Sequence, residues 1–260
     1  MYPLIDWLLA LPTVFLALIV AAFWGGVAYA VHRVAVPRIC GPDGRRLGKF
    51  EAEVTSQIAL SFGLLISFNA VWIWDRGDRV RGAVLDEASA LQSVLDVAQA
   101  SEVLVDVAAI PDRVQKYARH LIDVEWPTLS DAKASRTRPT EFTALRREVA
   151  QWPDAELLAA VDRAGDARDL RLREGLVYMS PLRWIVVVML GVLLLLSIGA
   201  LHGEAPRGRI LALSLVSVAI ATCFLVLVAH GRPFVGSFAI KPTELERVVE
   251  RIESERAARR

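Results

Sequence analysis

The sequence predicts an all-α polytopic membrane protein, with four transmembrane helices in two pairs around a central soluble helical domain. Three observations predict it. Apolar types make up 54% of the 260 residues and mean hydropathy is +0.40, yet 23% of residues are charged. These two classes are segregated into blocks along the chain. The polar block in the middle has helical periodicity and no strand-like alternation.

A bilayer core about 30 Å thick needs about 20 residues of helix, at about 1.5 Å per residue. The first candidate span, 7–31, carries no charge. The second, 58–74, is shorter and contains Trp72 and Trp74, which suit the headgroup zone. The third and fourth, 184–201 and 210–229, are also free of charge. A single Lys or Arg at a helix centre costs about 3 kcal/mol on insertion scales, so such clean runs are informative. The first run ends in Ala28-Tyr29-Ala30, which looks like a signal-peptidase site. Residues 1–6 lack Lys and Arg, however, and the apolar run is too long for a signal peptide, so it reads as an uncleaved anchor.

The organisation that follows is a first transmembrane pair over 1–75, a soluble helical domain over 76–181, a second transmembrane hairpin over 182–230, and an amphipathic C-terminal helix over 231–260. The turn between the last two spans contains Gly203, Pro206 and Gly208, which makes that pair an antiparallel hairpin. Four spans place both termini and the middle domain on one side. Basic residues near the membrane are nearly balanced between the two faces, with Arg33, Arg38, Arg45, Arg46, Lys49, Arg207 and Arg209 on one of them. The reading adopted is a multi-pass cell-membrane protein with the middle domain and both termini in the cytoplasm.

Within the middle domain, Val80, Val84, Leu85, Ala88, Leu91, Leu95 and Ala98 follow helical steps, so the second span is expected to continue as one long helix. Pro111-Asp112 starts a helix whose stripe is Val114, Tyr117, Leu121 and Val124, and Pro127 is expected to stop it. Thr140 is a candidate cap for the next helix, and another begins near Asp154. The stretch DRAGDARDLRLRE then reads as a solvated face with weak charge pairs. In the tail, Thr243 is a capping-type residue before the apolar stripe Leu245, Val248, Val249 and Ile252. That helix is expected to pack on the middle domain or on a neighbouring subunit.

Composition excludes some functions. A net charge of +1 gives no field for nucleic acid. Cys40 and Cys223 form neither a disulfide framework nor a zinc pattern. No nucleotide loop, zinc pair or hydrolase elbow is present, so no catalytic residue, cofactor or metal is assigned and no enzyme activity is expected. His120, Asp123 and Glu125 lie close together, but a metal site there needs ligands from other helices. Polar groups in the second span are more telling: Ser61, Ser67 and Asn69. Ala59, Gly63 and Ser67 form a small-residue ridge suited to helix packing, as do Ala22, Gly26 and Ala30 on the first span. Ser61, Gly63, Ser67 and Asn69 are therefore candidates for a water-lined path or for packing.

A further pattern is made by Glu87, Ala88, Ala90 and Leu91, then Tyr117, Glu125, Trp126 and Pro127, then Pro233, Phe234, Gly236, Ile240 and Pro242. In this order and placement against the spans, the chain resembles the membrane family catalogued as domain of unknown function 4239, labelled bestrophin-like, from about Gly48 to Ile252. The resemblance implies four spans. By analogy with bestrophins, which are pentameric calcium-gated anion channels lined by their second span, it also suggests ion conduction. The chain departs from bestrophins in lacking an acidic cluster like their calcium clasp and a matching run of pore-neck aromatics. Structural roles are preferred for Glu87, Tyr117, Glu125, Trp126, Pro127, Pro233, Phe234 and Gly236. Glu125, at a helix end where negative charge is unfavourable, calls for an arginine partner, with the helix carrying Glu87 as one source. Two functions remain open: a homo-oligomeric ion channel in the lipid bilayer, or a non-conducting scaffold or sensor whose helical domain binds a partner.

Overall fold

The structure is a computed structural model that describes residues 13–41, 43–48, 50–100, 109–130 and 135–259. All regular structure among them is helical, with no strand. In chain order the helices are α1 (Thr13–Ala30), α2 (Val36–Cys40), α3 (Ala52–Ala100), α4 (Ala109–His120), α5 (Trp126–Ser130), α6 (Thr140–Val149), α7 (Ala155–Gly175), α8 (Pro181–Leu201), α9 (Pro206–His230) and α10 (Thr243–Ala258). Four helical stretches are long and apolar enough to cross a membrane: Thr13–Cys40, Ala52–Ala100, Pro181–Leu201 and Pro206–His230. The architecture is all-α and polytopic. Residues 7–12 of the first expected span lie outside the described residues.

Two joints are π-helical turns, Val31–Ala35 between α1 and α2 and Leu121–Glu125 between α4 and α5. In each, the residue after the turn donates its N–H five residues back, Val36 to Val31 and Trp126 to Leu121. Each turn is followed immediately by an X-Pro pair, Val36-Pro37 or Trp126-Pro127. A proline ring in a helix clashes with the carbonyl four residues earlier and donates no bond, and a widened turn relieves that clash. Pro127 therefore does not stop its helix, contrary to the expectation from sequence, and the first span runs on past residue 31 to Cys40.

The chain groups into two compact units. One runs to Trp74 and resumes over Tyr178–Arg232 and Gly236–Phe238. Its core is built from α1, α8 and α9, with Phe62 and Ile73 of α3. Trp24 is fully buried and its ring approaches the Phe224 ring at 5.0 Å. A Cβ added at Gly191 would stand 2.5 Å from Trp24, so the indole fills the space left by the missing side chain. The expected small-residue ridges are not the tight contacts of this unit. Nothing lies within 4 Å of a Cβ built at Gly26 or Gly63.

The other unit comprises Asp75–Val177, Pro233–Val235 and Ala239–Arg260. Leu91, Leu95, Val114, Tyr117, Leu145, Leu157, Leu245, Val248 and Ile252 close one core, so α10 packs within this unit. Asp154 caps α7, accepting from the N–H groups of Glu156 and Leu157. Thr140 and Thr243 do not cap: each is the first helical residue, after Pro139 and Pro242, and neither helix has a side-chain cap. A proline in that position already sets the entry dihedral. Two stripe residues also turn outward, Leu85 at 47% exposure and Val124 at 53%. For Val124 the cause is the π turn. Its wider winding carries Val124 further from the Leu121 face, while Glu125, within about 40° of Leu121 even on a regular helix, stays inward at 6% exposure.

Candidate functional site

The polar residues of the second span divide between two faces of α3. Asn69 is 4% exposed, on the inward stripe with Phe62 and Ile73, and its side-chain amide donates to the Leu65 carbonyl at 2.8 Å. Ser61, Gly63 and Ser67 are exposed, as is Ala59. The hydroxyls of Ser61 and Ser67 donate to the carbonyls of Gln57 and Gly63, both at 2.9 Å. This local bond satisfies a hydroxyl in hydrocarbon without a second helix. At about 100° per residue, Gly63 and Ser67 share a side, while Ser61 lies about 120° around from Ser67. The four candidates are thus not one cluster. Gly63 and Ser67, with Ala59, make one small, polar, uncovered strip.

The second unit brings together charges that sequence spacing leaves apart. Arg171 Nε donates to Glu87 Oε2 at 2.8 Å and its Nη2 to Glu125 Oε1 at 2.6 Å. Arg168 Nε donates to Glu125 Oε2 at 2.8 Å, and its Nη2 reaches the carbonyls of Ser135 and Thr137 at 3.1 and 3.2 Å. The Tyr117 hydroxyl donates to Glu87 Oε1 at 3.1 Å. The Trp126 ring stacks under the Arg171 guanidinium at 5.0 Å. All four charged side chains are buried. Two arginines and two glutamates make the cluster neutral, and only that balance makes such burial tolerable. Burial alone would lower the Arg171 pKa, but the Glu87 and Glu125 carboxylates more than reverse this and hold the guanidinium charged. Burial, followed by the Glu87 charge, pushes the Tyr117 phenol well above its ordinary range.

DRAGDARDLRLRE is therefore not simply a solvated face. Arg168 and Arg171 point into the unit, while Arg163, Asp166 and Arg173 face outward. The small residues beside the buried arginines are the overlooked signal. A Cβ at Gly165 would stand 2.6 Å from Phe142, and one at Gly175 would stand 2.4 Å from Phe234. Room at these positions lets bulky side chains enter next to the helix. The arginine partner of Glu125 is on α7, not on the helix of Glu87, which is itself a second acceptor in the cluster. His120 Nδ1 lies 3.3 Å from Glu141, so His120 and Glu125 are engaged with different partners. Among the described residues, no group of three or more His, Cys, Asp or Glu side chains is placed to hold a metal ion.

A family model described as Bestrophin-like domain matches residues 17–245. The chain belongs to the bestrophin-like family. No curated protein and no solved structure matches it. The bestrophin-like motif residues named above converge in space. Glu87, Tyr117 and Glu125 are in the charge cluster, and Trp126 covers it. Phe234 meets the Trp126 ring edge-on at 5.5 Å, and the Trp126 indole N–H donates to the Ile240 carbonyl at 3.2 Å. The Ile240 N–H closes the exit turn onto the Pro233 carbonyl at 2.7 Å, and Gly236 takes the left-handed conformation that turn requires, φ 86°.

Proposed function

We propose that this chain assembles with copies of itself into a membrane oligomer in which the second span borders an ion-conducting path. The observation that carries the reading is the uncovered strip Ala59, Gly63 and Ser67 on a membrane-spanning helix. Small residues let backbones approach closely, and the Ser67 hydroxyl, whose oxygen can still accept, offers a water a foothold that lipid does not need. Membership of the bestrophin-like family supports the same reading. The reading places both termini and the charged helical unit in the cytoplasm, and assigns no enzymatic step. Asn69, on the packed face and bonded to its own helix, is not assigned to the path.

Ion flux from proteoliposomes tests it. Purified protein is expected to release a trapped salt, and Ser67→Leu, which makes the strip greasy without touching the chain's own core, is expected to suppress that release. Vesicles that stay sealed with the wild-type protein, or flux indifferent to Ser67→Leu, would remove the second span from the path. The scaffold reading would then stand, since its charged surface needs no pore.

A further inference from the structure

We propose that the groove between α1 and α9 holds one acyl chain of an anionic phospholipid, with the phosphate seated at Arg33 and Arg209. The groove has a volume of about 690 Å³ and is mostly apolar. Its α1 wall is made of the small residues Ala17, Ala21, Gly25 and Ala28, with Tyr29 toward the end that carries Arg33, so most of its length is a furrow rather than a ridge. From Ala17 to Arg33 it runs about 24 Å along the helix. One leaflet with its headgroups is about 20–22 Å deep, so a lipid of ordinary length fits from end to end.

Polarity along the groove follows the same order. At one end His32 and Arg33 line it, and Arg209 donates through Nε to His32 Nδ1 at 3.0 Å. With Nδ1 accepting, the neutral ring carries its proton on Nε2 and is itself a donor. Among the described residues, neither Arg33 nor Arg209 has a carboxylate within ion-pair reach, although Arg45 pairs with Glu204 nearby in the chain. Two uncompensated guanidiniums beside a membrane-facing furrow attract a phosphodiester. Further in, Ser217 is 5% exposed and lines the groove, yet its hydroxyl makes no hydrogen bond within the described structure. Ser214, on the same wall, also has none. The contrast is internal to the spans: the hydroxyls of Ser61, Ser67 and Thr222 all bond their own helix carbonyls. Ser214 lies about 7.5 Å along α9 from Arg209, the depth at which a lipid's ester oxygens follow its phosphate. The free hydroxyls thus have acceptors waiting in the ligand.

This site does not depend on conduction, and its test is a binding measurement. The full chain, stripped of lipid in detergent, is titrated with dioleoyl phosphatidylglycerol or dioleoyl phosphatidylcholine and followed by native mass spectrometry. Phosphatidylglycerol is expected to bind about ten-fold more tightly, as one molecule per chain. Arg33→Gln, at an exposed position, is expected to remove most of that preference. Ala21→Trp, which fills the furrow and leaves both arginines in place, is expected to weaken both lipids together. Equal affinity for the two lipids, or a preference that survives Arg33→Gln, would overturn the proposal. So would an Ala21→Trp protein that binds lipid normally but loses a copy from its assembly, because the furrow would then seat a neighbouring helix.

Discussion

The two units handle polar groups in opposite ways. In the membrane unit, the hydroxyls of Ser61 and Ser67 and the amide of Asn69 bond to carbonyls four residues back, so each is satisfied by its own helix. In the charged helical unit, Glu87 of α3, Tyr117 of α4 and Arg171 of α7 bond to one another across sequence separations of 30 and 84 residues. A membrane helix must close its backbone hydrogen bonds before it meets a partner, and a side chain can share a carbonyl of its own helix, whereas a water-facing unit can leave charges solvated until folding buries them. The membrane unit therefore keeps its polar faces available for later neighbours. The charged unit has committed its four buried charges to one another.

The sharpest way to break this comparison is to remove one member of the buried cluster. Glu125→Leu leaves Arg168 and Arg171 short of a carboxylate and is expected to cost about 3–5 kcal/mol, seen as a large drop in the thermal midpoint of the purified full chain. Adding Arg168→Met to that variant is expected to recover part of the loss, because the charges again balance. A Glu125→Leu protein as stable as wild type would mean the cluster is solvated.

A smaller effect contrasts two glycines. Gly191→Ala forces a methyl into the Trp24 ring and is expected to cost about 1–3 kcal/mol. Gly63→Ala meets nothing within 4 Å and is expected to leave the single chain as stable as before or up to about 1 kcal/mol more so. If the two variants melted alike, the packing that separates inward from outward glycines would be wrong.

Tyr117→Phe removes one hydrogen bond to Glu87 and is expected to cost about 1 kcal/mol. The same residue sets a pH limit. Its folded pKa is raised above the unfolded value, first by burial and then by Glu87, so its contribution is intact below about pH 10 and is lost as pH rises further. Alkaline melts are expected to show this loss in the wild type and to lack it in Tyr117→Phe. Least of all, Arg146→Ala breaks an exposed pair with Asp162 and is expected to give no measurable shift.

The four spans were legible because lipid imposes one demand, a long uncharged helix, that composition expresses directly. The long α3 was legible for a similar reason, its periodicity continuing past Trp74. Helix ends read less well. Pro37 and Pro127 both look like stops, and each is instead accommodated by a π turn that no residue pattern announces. Glu125, four residues after Leu121, shares the inward face, and its charge rather than its position hid that from a stripe of apolar residues. Glu125 could be seen to need an arginine, but which one could not, because alternating Asp and Arg along α7 differ only in the face they present. The ridges on α1 and α3 were read as packing surfaces, and within one chain they remain uncovered.

If that uncovered strip on α3 meets a second copy of the chain, a thiol placed on it will find its twin. Ser67→Cys, in a chain carrying Cys40→Ala and Cys223→Ala, is to be oxidised in native membranes and resolved by mass. The expected product is a covalent pair of two identical chains, formed in high yield and absent without the new thiol. A thiol that stays monomeric while other membrane-exposed positions cross-link, or that joins a different protein, would contradict it.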